Sequence, residues 1–332
     1  MNILITGIHG FVGSNLVMAL KEQHTLYGLD IVAPEKEGVV KTFSWKDLER
    51  ITPSPLQGTP PINKGRILPQ FDAIIHLAGK AHDTKNQSEA QVYFDINTGL
   101  TQKIFDFFLN SDCKKFIFFS SVKAAADFVP GDILTEEVVP APVGPYGESK
   151  IKAEEYILDK LKIDNDKLKD KQVYILRPCM IHGPGNKGNL NLLYGVVKKG
   201  IPWPLGSFEN RRSFTSIGNL CYVIEGLLTK EVESGIYHMG DDEALSTNEL
   251  IAVMCETMGK KAHIWHLPKG LMEGCAKKGT VLHLPLNSER LRKLTENYVV
   301  SNAKIKMALG ITEMPIKAKD GLVVTIQSFQ ES

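Results

Sequence analysis

Short apolar runs punctuate the first 177 residues, each closed by glycine, proline or a small polar residue. Asn2–Thr6, His24–Asp30, Phe71–Gly79, Lys115–Phe119 and Gln172–Arg177 are continuous rather than alternating, the pattern of strands buried on both faces. Between them apolar positions return at helical spacing, over Ser14–Leu20 and Ser88–Leu109, where Phe105 and Phe108 are expected in the core. A further helix opens at Pro145, since proline tolerates a first turn that needs no backbone donor, and continues through the charged, solvated stretch Glu154–Leu168. Ile51–Pro69 is crowded with proline and glycine and reads as loop. Strands alternating with helices at this rhythm predict an α/β fold, a doubly wound parallel sheet with ligands above the strand ends.

The character changes after Ile181. His182–Asn189 is irregular, Leu190–Val197 is helical in spacing, and Arg211–Thr215 precedes another apolar stretch. Ser246 with Glu249 three residues on has the form of a capped helix start. The predicted division is therefore residues 1–175 for the sheet and 176–332 for a smaller α+β part, with some segments free to return to the sheet.

Chemistry enters at the first turn. Gly7-Ile8-His9-Gly10-Phe11-Val12-Gly13 lies between a strand and a helix, where a glycine loop lets backbone approach a pyrophosphate and the helix N-terminus supplies donors. Asp30 closes the second strand at the distance from which an acid accepts ribose hydroxyls and repels a 2′-phosphate. That favours NAD(H) over NADP(H), although His9 could gain charge near the phosphates. Leu77-Ala78-Gly79 ends the third strand in small residues against which a flat cofactor can lie, and the fourth delivers Ser120 and Ser121. Tyr146 and Lys150 stand four apart on one helix face, and an ammonium beside a phenol is expected to draw its pKa down from ~10.

Composition narrows the setting. With 332 residues, 43% hydrophobic and 23% charged, the chain has enough apolar content for a core of ordinary size. A formal net charge of +1 gives no global field toward nucleic acid or an anionic membrane. The five cysteines are scattered without a C-x-x-C pair, which argues for a reducing compartment and small buried hydrophobes rather than disulfides or zinc. His263 and His266 lack a third ligand at useful spacing, so no metal site is expected. The opening apolar run stops at Gly7, too short for a signal peptide, and no apolar segment is long enough to span a bilayer, so a cytoplasmic protein is expected.

Taken together, Gly7-x-x-Gly10-Phe11-x-Gly13, Asp30, His76-Leu77-Ala78-Gly79, Ser120-Ser121, Tyr146-x-x-x-Lys150, Arg177-Pro178 and Gly183-Pro184-Gly185 resemble an extended short-chain dehydrogenase/reductase of the NAD-dependent epimerase/dehydratase family. The resemblance implies a Rossmann-type domain holding NAD(H) through Gly7, Gly10, Phe11, Val12, Gly13, Asp30, Leu77, Ala78, Gly79 and Pro178, together with Tyr146 and Lys150. It implies that Tyr146 exchanges the proton, that Lys150 tunes Tyr146 and holds the nicotinamide ribose, and that Ser121 (or its neighbour Ser120) hydrogen-bonds the reacting oxygen.

The second half, through His182–Asn189, Pro204-Leu205-Gly206 and Asn210–Ser213, is similar to bacterial UDP-N-acetylhexosamine 4-epimerases and 4-keto-6-deoxy 4-reductases of surface-polysaccharide synthesis. This implies a UDP-linked sugar as substrate, Arg212 on its diphosphate, Asn189 on uridine or phosphate, and Lys123 within reach of the sugar. Val122 and Lys123 stand where 4,6-dehydratases carry Asp-Glu, so dehydration is not expected. A 4-ketoreductase consuming NADH is expected, with a 4-epimerase that retains NAD as the alternative and a non-catalytic NAD-binding sensor or scaffold behind both. The resemblance leaves a homodimer open and implies no nucleic-acid partner.

Overall fold

A computed structural model describes residues 1–49, 69–81, 89–163, 168–282, 284 and 286–331. The expected Ile51–Pro69 loop falls almost wholly outside the described residues, as do Ser88 and residues 164–167 of the expected helices.

The continuous apolar runs form the strands predicted. β1 (Asn2–Thr6), β2 (Thr25–Asp30), β3 (Lys41–Ser44), β4 (Ala73–His76), β5 (Lys115–Phe119), β6 (Gln172–Pro178) and β9 (Gly235–Met239) make one seven-stranded sheet in the order β3-β2-β1-β4-β5-β6-β9. The ladders from β3 to β6 are parallel, with Ile3 opposite both Leu26 and Ala73, and Phe119 opposite Leu176. Strand order therefore reverses between β1 and β4, and the crevice above the carboxyl ends there is where a doubly wound sheet takes its ligand. β3 had no counterpart in the sequence reading; β9 comes from the second half of the chain and returns to the sheet.

Two compact units divide the chain. The first comprises Met1–Asp127, Glu136–Pro178 and Cys221–His238; the second comprises Phe128–Thr135, Cys179–Leu220 and Met239–Ser332. In the first, Phe105 and Phe108 are fully buried as expected and pack with Phe116, at ring-centroid distances of 5.0 and 5.2 Å. Helix Gly144–Ile163 contributes Ala153 and Ile157 to the same core.

The second unit holds the short parallel pair β7 (Met180–His182) and β8 (Phe214–Ser216) and its own core of Leu250, Met254, Leu322 and Ile326. Its helix Thr247–Thr257 starts with the predicted box, Ser246 Oγ accepting from the Glu249 N–H at 3.0 Å and Glu249 accepting from the Ser246 N–H at 2.8 Å. All five cysteines are free; Cys113, Cys179 and Cys255 are buried, but Cys275 is exposed, against the expectation that it fills a core. Its place on the outer side of a surface helix is the reason. Among the described residues no group of three His, Cys, Asp or Glu side chains is placed to hold a metal.

Candidate active site

Thr6 ends β1, and the chain turns at Gly7 with φ +69°, a conformation in which a side chain would be strained. The Gly7 N–H donates to Leu29 O at 2.8 Å, pinning the loop to β2. Helix Phe11–Leu20 comes next, capped by Gly10 with no side chain on its first donors. A methyl on Gly13 would stand 2.6 Å from Gly7 O and 2.7 Å from Ile8 Cα, so helix and loop approach as only glycine permits. Phe11 and Val12 are half-buried at the helix start. Asp30 closes β2 and accepts the His9 N–H at 3.0 Å and the Ile31 N–H at 2.8 Å, one on each oxygen. A tight glycine turn, uncapped helix donors and an acid hydrogen-bonded into the loop together fit a dinucleotide.

The end of β4 is tied to this loop. Thr6 Oγ1 accepts the Ala78 N–H at 3.0 Å and pairs with His76 Nδ1 at 2.7 Å, while His76 Nε2 lies 3.0 Å from Thr101 Oγ1. Burial, with the Lys150 charge adding to it, holds the His76 imidazole well below its ordinary pKa, so it stays neutral. Leu77, Ala78 and Gly79 are thereby held beside Gly7, where a methyl would stand 3.0 Å from Ala78 N.

β5 delivers two adjacent serines to different partners. Ser120 Oγ donates to Glu154, which also accepts the Arg177 guanidinium at 2.5, 3.0 and 3.1 Å. Ser121 caps the short helix Val122–Ala125 and hydrogen-bonds Tyr146. Alternation along an extended backbone sends neighbours to opposite sides, so only Ser121 serves the phenol. Pro178 is buried at the end of β6.

Tyr146 and Lys150 lie on helix Gly144–Ile163, as their spacing predicts. Lys150 Nζ donates to Phe119 O at 2.7 Å and sits 5.0 Å from the Phe118 ring centre. A methyl on Gly79 would meet Asn97 Oδ1 at 2.9 Å and Lys150 Nζ at 3.1 Å, so both polar ends reach the backbone of β4's extension. Burial lowers the Lys150 pKa to about 8, against the upward pull of Glu154. The expected lowering of the Tyr146 pKa by Lys150 is not what this environment produces. Burial dominates and pushes the phenol up, and the group opposing it is Ser121. Near neutral pH the pair is a phenol and an ammonium.

Asn97 falls on a helix by periodicity, with no role legible in the sequence. It is fully buried on a π-turn, Phe94–Gly99, inserted between helices Ala90–Tyr93 and Leu100–Leu109. Its Nδ2 donates to Ser149 Oγ at 2.9 Å and Lys80 O at 3.1 Å, and its Oδ1 accepts the Lys80 N–H at 2.7 Å. Thr98 Oγ1 adds a bond to Ser149 O at 2.8 Å. The turn thus fastens Gly79–Lys80 to the Tyr146–Lys150 helix. A lone π-turn marks functional helices often enough to be a signal, but it cannot be read from periodicity.

The three substrate candidates are spread over both units. Lys123 Nζ donates to Asp127 O at 2.8 Å and Oδ1 at 3.1 Å, in the first unit. In the second, Arg212 is half-buried, its backbone paired with Leu245 at 2.9 and 3.0 Å and its Nη1 donating to Lys293 O. Asn189 is exposed at the first position of helix Asn189–Lys198.

A family model described as the NAD dependent epimerase/dehydratase family matches residues 3–240. A UDP-glucose 4-epimerase of Vibrio cholerae is 29% identical over 338 residues, covering 100% of this chain and 96% of its own. An N-acetyl-alpha-D-glucosaminyl-diphospho-ditrans,octacis-undecaprenol 4-epimerase of Escherichia coli O157:H7 is 26% identical over 322 residues, with 94% and 86% covered. The solved UDP-N-acetylglucosamine 4-epimerase from Bacillus cereus superposes with a TM-score of 0.72 at 18% identity, over 100% of both chains; at that identity the likeness shows the fold.

Proposed function

The chain belongs to the NAD dependent epimerase/dehydratase family, and from that premise we propose that it carries out oxidoreduction at C4 of a UDP-linked hexose or N-acetylhexosamine. The observation that carries this reading is the meeting of Ser121 with Tyr146, one helical turn from a buried Lys150. NAD, when bound, supplies reversible hydride exchange with the sugar carbon.

The chain's own groups do the rest. Gly7, Gly10 and Gly13, with Phe11 and Val12, offer backbone donors to the pyrophosphate, and Asp30 accepts the adenosine ribose hydroxyls. Leu77, Ala78, Gly79 and Pro178 give the rings an apolar bed, and the Lys150 ammonium donates to the nicotinamide ribose. Tyr146 passes a proton between its own oxygen and sugar O4, and Ser121 donates to the same O4 as charge develops on it. Because burial keeps Tyr146 protonated near neutral pH, proton donation to a 4-keto oxygen is its resting competence. Arg212 grips the diphosphate, Asn189 the uridine or its phosphate, and Lys123 a sugar hydroxyl. Residues 1–175 thus serve mainly the cofactor and 176–332 mainly the nucleotide sugar.

The full-length relatives named as 4-epimerases favour an epimerase that retains NAD. Reduction of a 4-keto sugar by NADH uses the same side chains. Incubation with UDP-glucose or UDP-N-acetylglucosamine and catalytic NAD, then NMR of the sugar ring, should give interconverted C4 isomers without net loss of cofactor. Stoichiometric loss of nicotinamide absorbance with a UDP-4-keto sugar would assign the reductase instead. No turnover of either kind would remove the proposal.

A further inference from the structure

Five large apolar side chains within residues 265–284 of the second unit are exposed: Trp265, Leu271, Val281, Leu282 and Leu284, by 54, 54, 76, 66 and 49%. Helix Lys269–Val281 explains most of them. Its inner side buries Met272, Ala276 and Gly279, the first two in the unit's core. Its outer side presents Leu271, Cys275, Lys278 and Leu282, whose spacing of four, three and four residues traces a single stripe. Leu282 prolongs that stripe because its N–H still bonds Lys278 O, at 3.0 Å. Trp265 stands four residues ahead of the helix and is held by a backbone ladder, its N–H donating to Trp203 O at 2.8 Å and its carbonyl accepting from Gly206 at 3.0 Å. Trp203, not Trp265, fills the core.

The charge of this segment differs from that of the chain. Between residues 260 and 284 stand Lys260, Lys261, Lys269, Lys277 and Lys278 against the single acid Glu273, while the whole protein carries +1. Exposed leucines and a tryptophan among lysines complement the interface of an anionic bilayer. Indole and leucine enter the headgroup–acyl boundary, and flexible ammonium groups reach the phosphates. A second copy of the chain fits less well, since a two-fold contact would set like charges against each other. Among the described residues no helix is long and apolar enough to cross a membrane, so contact through this helix would be with the surface only.

We infer that the outer face of helix Lys269–Val281, with Trp265 and Leu282, is a docking surface for an anionic phospholipid membrane. The test is co-sedimentation of the full chain with vesicles of phosphatidylglycerol and phosphatidylcholine, against phosphatidylcholine alone, at low and high salt. The wild-type chain is expected on the anionic vesicles, with binding that weakens as salt rises. Leu271→Asp with Leu282→Asp should weaken it by about tenfold or more, and Lys277→Glu with Lys278→Glu to a similar degree. Both variants should keep the wild-type melting temperature and elution volume, because the side chains changed are exposed. Absence of vesicle binding, equal binding to neutral vesicles, or variants that bind like wild type would each overturn the inference. So would variants that instead convert a dimer into a monomer, which would make the face an interface between copies.

Discussion

Replacing Glu154 by Gln removes one charge from a cluster with no access to solvent. Glu154 is fully buried, Arg177 is 1% exposed, and the guanidinium meets the carboxylate at 2.5, 3.0 and 3.1 Å while Ser120 donates to it as well. Breaking a buried pair from one side strands the other charge and costs about 3–5 kcal/mol. Glu154→Gln, which keeps some of the hydrogen bonds, should fall at the low end, measured as a lower urea midpoint at an unchanged slope.

The same change reaches Lys150, because Glu154 is the group that opposes the lowering of its pKa by burial. Lys150 titrates at about 8 in the folded chain against 10.5 as the ordinary value, so the unfolded chain holds the proton longer between those limits. Stability therefore rises with pH from about 8 to 10.5, by roughly 3 kcal/mol in full, and below pH 8 the whole penalty stands. In Glu154→Gln that window should open at lower pH, and the alkaline fall of kcat/KM should move down with it. Glu154→Leu with Arg177→Met separates the two effects. An apolar pair should restore most of the stability, while the alkaline limb stays displaced because the carboxylate is still missing. An unchanged urea midpoint in Glu154→Gln, or an alkaline limb that moves back in the double variant, would refute the reasoning.

Tyr146→Phe should lower kcat by about two to four orders of magnitude, with NAD affinity by calorimetry nearly unchanged. Gly13→Ala places a methyl 2.6 Å from Gly7 O, and should abolish measurable NAD binding; retained affinity would show that the loop yields. Asn97→Ala leaves Lys80 and Ser149 without three hydrogen bonds and should cost about 1–3 kcal/mol on thermal unfolding. Asp30→Ala should weaken NAD and narrow its advantage over NADP, as read from paired titrations.

The positions of β1, β2, β4, β5 and β6 were legible because continuous apolar runs between turn residues leave few alternatives, whereas β3, β7, β8 and β9 carry no run so clear; the Tyr146/Lys150 face came from helical spacing. The choice between Ser120 and Ser121 was not, because a shift of one residue along β5 exchanges their partners and nothing local fixes it. Glu154 belongs by its sequence to a solvated stretch, yet it is fully buried, because Arg177 lies 23 residues away in the chain and only the packed sheet brings the two together. Lys150 acts on Tyr146 as a bare neighbouring charge in the sequence reading; desolvation, which depends on everything packed around both, outweighs it. Asn97 was invisible for a different reason, since its orientation depends on a turn wider than the regular repeat.

That turn has an evolutionary edge. Removing one residue from Phe94–Gly99 would let the backbone wind as a regular α-helix from Ala90 to Leu109 with little net rotation between its ends, because the wider turn is what absorbs the extra residue, yet it would take Asn97 out of its place. A shortened chain would gain a straighter rod and lose the clasp on Lys80 and Ser149. Selection for sturdiness and selection for turnover would then favour different lengths of the same segment.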